Sequence, residues 1–211
     1  MKKPFSILFL ASALLLIGVG VPQLIASIWM AAGDPIWQDY RDGKNPSEDA
    51  FSELEQTRLN ALQYSDDNEA REQLAYLYVR QGFTDEATQR AMEMLEAAVA
   101  KDPLDSSDWA LLTKLYLRDS ERLPDAIAAW KASRRLAPNK RNLLNDRAAN
   151  AIYLFAALSV EDREMAKSDL EVAYRRDPRG FRDFMARNKL LEWAKLILND
   201  PAKTAFLESN R

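Results

Sequence analysis

Trp109-Ala110-Leu111-Leu112-Thr113-Lys114-Leu115-Tyr116, then Ala126-Ile127-Ala128-Ala129-Trp130-Lys131-Ala132-Ser133 closed by Pro138, is the stretch that decides the fold. In its second half, small Ala126 is followed by bulky Trp130 four positions on. Small Ser133 comes three further, and a proline five beyond that. The same spacing recurs on either side, as Ala91, Leu95, Ala98, Pro103 and as Ala166, Leu170, Ala173, Pro178. Steps of four and three residues stay on one helix face. Small residues there let a neighbouring helix approach, and the bulky one fills the groove between. Proline lacks an N–H and its ring clashes with the preceding turn, so each proline ends one helix pair and starts the next. Such a unit buries its apolar face only against its neighbours. The repeat therefore turns the question of function from a reaction to a partner.

Trp109, Leu112, Thr113 and Tyr116 stand in a W-x2-L-G-x2-Y arrangement, with Thr in place of the usual Gly or Ala. Together with Ala126, Trp130, Ser133 and Pro138 they resemble the tetratricopeptide repeat. A unit over roughly 68–103 resembles the family in Leu74, Ala75, Tyr78, Gly82 and Asp85-Glu86-Ala87. A third, roughly 139–178, keeps only the second-helix signature behind a long first helix reading Leu144, Ala148, Ala151, Ile152, Phe155, Leu158. The prolines lie 35 and then 40 residues apart, a departure from the family's 34-residue period. The resemblance implies an all-α fold: about three helix pairs (about 68–103, 104–138, 139–178) as an α-solenoid between capping helices. An irregular helical bundle is the competing reading, and it too is all-helical.

Composition narrows the chemistry. The 211 residues include no cysteine and no histidine. Cys/His metal sites, thiol nucleophiles and histidine acid–base mechanisms are thereby excluded. No acidic pair stands out from ordinary surface charge, so neither an enzyme nor a metal site nor a cofactor is expected. Net charge is −3, and −5 without Lys2 and Lys3, which argues against nucleic acid as partner. Only 6 glycines and 47% hydrophobic residues favour helix around a real core. The basic residues Arg134, Arg135, Lys140, Arg141 and Arg147 read as a solvated helix junction.

From Pro4 to Ala32 no residue is charged. As a helix this stretch is about 43 Å long, more than the ~30 Å hydrocarbon core of a bilayer. Residues 1–32 are expected to be a transmembrane signal anchor rather than a cleaved signal peptide. Lys2 and Lys3 keep the N-terminus inside and the rest outside, in the periplasm of a bacterial-type inner membrane. Gly18, Gly20 and Pro22 predict a kink and a close-packing face for another transmembrane helix. Trp29, Trp37 and Tyr40 suit the outer interfacial belt or ordinary packing.

Residues 33–46 read as a tether, and 47–66 as an N-terminal capping helix that starts at Ser47. The cluster Asp66-Asp67-Asn68-Glu69 reads as a loop and helix N-cap. Residues 179–211 read as C-terminal capping helices, one from about Phe181 to Leu198 and a short last one after Pro201.

By the resemblance, a protein partner binds the groove lined by first helices. Transferred positions include Glu72, Tyr76, Val79 and Arg80 in the first unit and Ala110, Lys114, Leu117 and Arg118 in the second. In the third, Asn142, Asn145 and Asn150 share a polar face. Tyr76, Arg80, Lys114, Arg118 and Asn145 are the candidate partner contacts. The functional expectation is a non-catalytic, membrane-anchored scaffold that assembles or stabilises an envelope complex. The alternative is an accessory subunit of a membrane enzyme complex, held mainly by its transmembrane helix.

Overall fold

The computed structural model describes residues 3–82 and 84–209, with side chains from residue 16 onward. Lys2 and the side chains of Lys3 and 4–15 lie outside this description, as do residues 210–211 of the expected C-terminal cap. Among the described residues all regular structure is helical. The chain forms two compact units, Met1–Lys101 and Asp102–Arg211.

The first unit holds α1 (Lys3–Arg41), α2 (Glu48–Tyr64), α3 (Asn68–Arg80) and α4 (Asp85–Lys101). Helices α1 and α2 pack as one pair, α3 and α4 as another. Ser47 caps α2 by accepting from the Ala50 N–H, and Asp67 caps α3 by accepting from the Ala70 N–H. On α4 the spaced residues Ala91, Leu95 and Ala98 are fully buried, as are Leu74 and Ala75 on α3. Gly82, at φ 106°, turns the chain between the two helices.

Residues 33–41 correct the sequence reading. They are the last turns of α1, and only 42–47 is loop. The helix runs on through both Pro22 and Pro35. Packing explains why. A Cβ on Gly33 would stand 2.9 Å from Leu54 Cδ1 and 2.6 Å from Arg58 Nη1, and would also collide with Thr57 Oγ1. Gly33 is thus a point of close approach to α2. Arg58, fully buried, closes the junction. Its Nη1 donates to the Met30 carbonyl at 2.6 Å, its Nη2 to Asp34 at 2.9 Å, and its Nε to Gln73 of α3 at 2.6 Å. These bonds tie three helices together and outweigh the helix bond that Pro35 cannot make. The helix ends where Gly43, at φ 79°, reverses the chain and the Lys44 N–H bonds back to the Asp39 carbonyl.

The second unit contains α5 (Ser106–Tyr116), α6 (Leu123–Leu136), α7 (Leu144–Leu154), α8 (Val160–Arg176), α9 (Pro178–Arg187), α10 (Leu191–Leu198) and α11 (Pro201–Glu208). Helices α5 and α6 form one pair, α7 and α8 the next. Ala126, Trp130 and Ser133 are fully buried on α6, as are Ala166 and Leu170 on α8. Tyr116 is buried, while Trp109 is half-buried with its indole N–H on the Pro103 carbonyl. Pro103 and Pro138 follow the ends of α4 and α6, and Pro178 opens α9. The Trp130 indole donates to buried Asp169 of α8 at 3.0 Å, and Arg134 donates to the same carboxylate at 2.9 Å.

Two helices are shorter than expected. The first helix of the third pair stops at Leu154, gives one 3-10 turn over Phe155–Ala157, and leaves Leu158 extended. The helix expected from Phe181 to Leu198 breaks between α9 and α10. Lys189 adopts φ 59°, and the Leu190 N–H bonds back five residues to the Met185 carbonyl. Leu190 is buried in this cap, which offsets the cost of the left-handed lysine.

Candidate functional site

A groove of about 640 Å³ opens in the first unit between α1, the turn that follows it, and α3. Its walls are Trp37, Tyr40 and Arg41 of α1, Gly43, Lys44 and Asn45 of the turn, and Tyr76 and Arg80 of α3. The rings form a continuous surface. Trp37 lies 5.4 Å from Tyr40 and 6.2 Å from Tyr76, centroid to centroid, and Tyr40 meets Phe51 of α2 edge-on at 5.9 Å. The Arg80 guanidinium sits over two of these rings, 4.3 Å from Phe51 and 4.9 Å from Tyr40.

Local sequence explains the construction. Ala26, Met30, Gly33, Trp37 and Tyr40 follow steps of four, three, four and three along α1. The face that packs on α2 at Gly33 therefore carries its rings to the groove one and two turns later. Tyr76 and Arg80 are one turn apart on α3.

The electrostatics are one-sided. Arg41, Lys44 and Arg80 line the groove, and no acidic residue does. Lys44 pairs with Asp39 at 2.7 Å, and that hydrogen bond raises its pKa. Among the described residues Arg41 donates within its own helix, to Gln38 at 2.8 Å. Neighbouring Tyr78 is pushed up to about 12, first by burial and then by Glu55, so it stays protonated at neutral pH.

The structure thus brings Tyr76 and Arg80 together and joins to them Trp37, Tyr40, Arg41 and Lys44. Sequence reasoning placed Trp37 and Tyr40 in an interfacial belt or ordinary packing and the two cations in a tether. The four–three spacing continuing past Ala32 was the signal that could have found them. The other three candidates lie in the second unit. Lys114 is exposed on α5, and Arg118 is exposed just beyond its end. Asn145 lines a separate hollow of about 450 Å³ with Arg141, Asn142, Leu144, Ala173, Arg176 and Asp177. Two transferred positions are not groove residues at all. Ala110 is buried, and so is Asn150, which donates to the Ala110 carbonyl at 3.2 Å. Of the basic run, Arg134 pairs with Asp169, Lys140 donates to Ser107 at 2.7 Å, and Arg147 is buried.

Among solved structures, the chain is similar to a thermophilic TPR protein from Thermus thermophilus, known from its crystal structure. The TM-score is 0.53 at 18% identity, over 86% of this chain and 94% of that one. The likeness establishes a TPR-like, all-α fold. No family model matches the sequence, and no curated protein matches it.

Proposed function

We propose that this chain is a non-catalytic scaffold, anchored in a membrane by the first half of α1, that holds a protein partner as part of an envelope complex. One observation carries the reading: α1 is at once the candidate membrane span and a packed helix of the repeat fold. Over its described length from Leu16 it is apolar enough to cross a bilayer, and Leu16, Ile17, Val19, Val21 and Leu24 are exposed. Burial begins at Ala26, at 2% exposure. The stretch 4–25 is about 33 Å long as a helix, close to the ~30 Å hydrocarbon core, so a span of that length fits ahead of Ala26, although Ile28 and Trp29 beyond it are exposed as well. Lys2 and Lys3 orient it with the N-terminus inside and the repeats in the periplasm of a bacterial-type inner membrane. The TPR-like fold supports a protein partner rather than a substrate.

A second reading is an integral accessory subunit held by its membrane helix. It is favoured by Gly18 and Gly20: among the described residues, nothing beyond each glycine's chain neighbours and the adjoining backbone of its own helix lies within 4 Å of where a Cβ would stand. That small-residue stretch, just before Pro22, is open to another helix.

The test is affinity purification in mild detergent, with mass spectrometry of what co-purifies. It compares the native chain, a version with residues 1–24 replaced by an unrelated transmembrane helix, and groove variants. Removal through residue 32 is unsuitable, because Ala26 and Met30 belong to the packed unit. A partner retained on the swapped helix and lost on groove substitution supports the scaffold. A partner lost on the helix swap alone supports the integral subunit.

A further inference from the structure

We infer that the groove of the first unit is a binding site for an acidic protein segment that carries an aromatic or proline residue beside its carboxylates. The inference deepens the scaffold reading and rests on it for the claim that the partner is a protein.

Charge complementarity selects the occupant. The chain as a whole carries −3, yet the ionisable side chains of clear charge lining this groove are Arg41, Lys44 and Arg80. Asp39 neutralises Lys44. Among the described residues, neither Arg41 nor Arg80 is in an ion pair with a carboxylate. Arg80 is instead held by the faces of Tyr40 and Phe51. Stacking fixes a guanidinium in place and leaves its N–H edge available to a carboxylate, the geometry in which arginine recognises acids. Beside it, Trp37 and Tyr76 stand 6.2 Å apart and tilted by 48°, a wall suited to a flat ring or a proline. A groove of this size takes a few residues of extended chain, not a folded domain.

Position separates this occupant from a lipid headgroup of the same charge. The groove lies at the Arg41 end of α1, about 24 Å along the helix from residue 25, beyond headgroup reach when 4–25 spans the bilayer. The acidic balance of the chain disfavours nucleic acid, which shares the charge and the stacking rings.

The experiment uses the full chain in nanodiscs of neutral lipid and a displayed library of random octapeptides. Its readouts are the enriched sequences and the affinity of the best one, compared with its counterpart carrying Lys for every Asp and Glu. Enriched peptides should hold two or more acidic residues next to Trp, Tyr, Phe or Pro, and the lysine counterpart should fail to bind. Arg80→Glu should weaken the best peptide by tenfold or more. Arg41→Glu provides a second variant that spares the packed core, because among the described residues the exposed Arg41 side chain bonds only to Gln38 on its own helix. It should weaken binding several-fold and flatten the response to salt, because less attraction is left to screen. Enrichment of neutral or basic peptides, no enrichment, or tighter binding of a dT12 oligonucleotide that is lost in Arg80→Glu would each overturn the inference. Failure of the membrane reading shows separately, as release of the protein from native membranes by alkaline carbonate with peptide selection unchanged.

Discussion

Each unit buries one arginine completely, and the two are treated very differently. In the first, Arg58 is 0% exposed and donates to Met30, Asp34 and Gln73, on two helices other than its own. In the second, Arg147 is 1% exposed and donates to the Ala137 carbonyl, while its Nε and Nη1 find no acceptor. A buried guanidinium stabilises only when its donors are satisfied. Arg58 therefore acts as a clamp that binds the candidate membrane helix into the fold, whereas Arg147 is tolerated. The clamp positions the Trp37–Tyr40 face, and with it the groove.

The largest expected effect comes from breaking that junction by bulk. Gly33→Val should cost about 3 kcal/mol, because the new methyls have no room against Leu54, Thr57 and Arg58. Guanidinium unfolding in one detergent, followed by circular dichroism, measures it; an unchanged midpoint would mean that α1 does not pack on α2. Next is Arg58→Met, expected to cost about 2–3 kcal/mol. The figure is held below the full cost of a broken buried pair because the Asp34 side chain is 60% exposed and regains water. Within the second unit, Trp130→Phe should cost about 1–2 kcal/mol by stripping a donor from buried Asp169, with the melting temperature as readout. Arg147→Met sharpens the contrast, since its midpoint should stay within about 1 kcal/mol of the native chain or rise. A loss as large as that of Arg58→Met would abolish the distinction between the two arginines.

The smallest effect is on pH dependence. Hydrogen bonds from Arg71 and Lys101 hold the Asp66 carboxyl below the usual range, and Lys131 does the same for Asp162. A carboxyl with a depressed folded pKa contributes stability that is complete above its unfolded value, near 3.9, and is lost as pH falls through the folded value. Unfolding midpoints should therefore drop as the pH falls below about 4. Asp66→Asn and Asp162→Asn should each flatten that slope, and an unaltered slope would show that these pairs do not set it.

Much of the repeat was legible because burial follows spacing. Ala91/Leu95, Ala126/Trp130 and Ala166/Leu170 are all fully buried. A helix can bury one face only by repeating small and large residues at steps of four and three. The breaks at Lys189 and after Leu154 were not legible, since a left-handed lysine and a lone 3-10 turn carry no local signature. The candidate site was half legible. Tyr76 and Arg80 came from the repeat register, but Trp37, Tyr40, Arg41 and Lys44 were hidden in the stretch 33–46, which read as a tether.

By itself, then, the sequence determined an all-helical chain of proline-punctuated pairs, an apolar leading helix, and the absence of cysteine and histidine chemistry. These are properties of composition and period, which local physics sets. Only the tertiary structure decided that the leading helix continues into the first unit and builds the wall of its groove. That outcome depends on a glycine meeting Leu54, Thr57 and Arg58 at close range and on a guanidinium of α2 satisfied from two neighbouring helices. Contacts between residues 24 and 28 positions apart are invisible to any reading of neighbours along the chain.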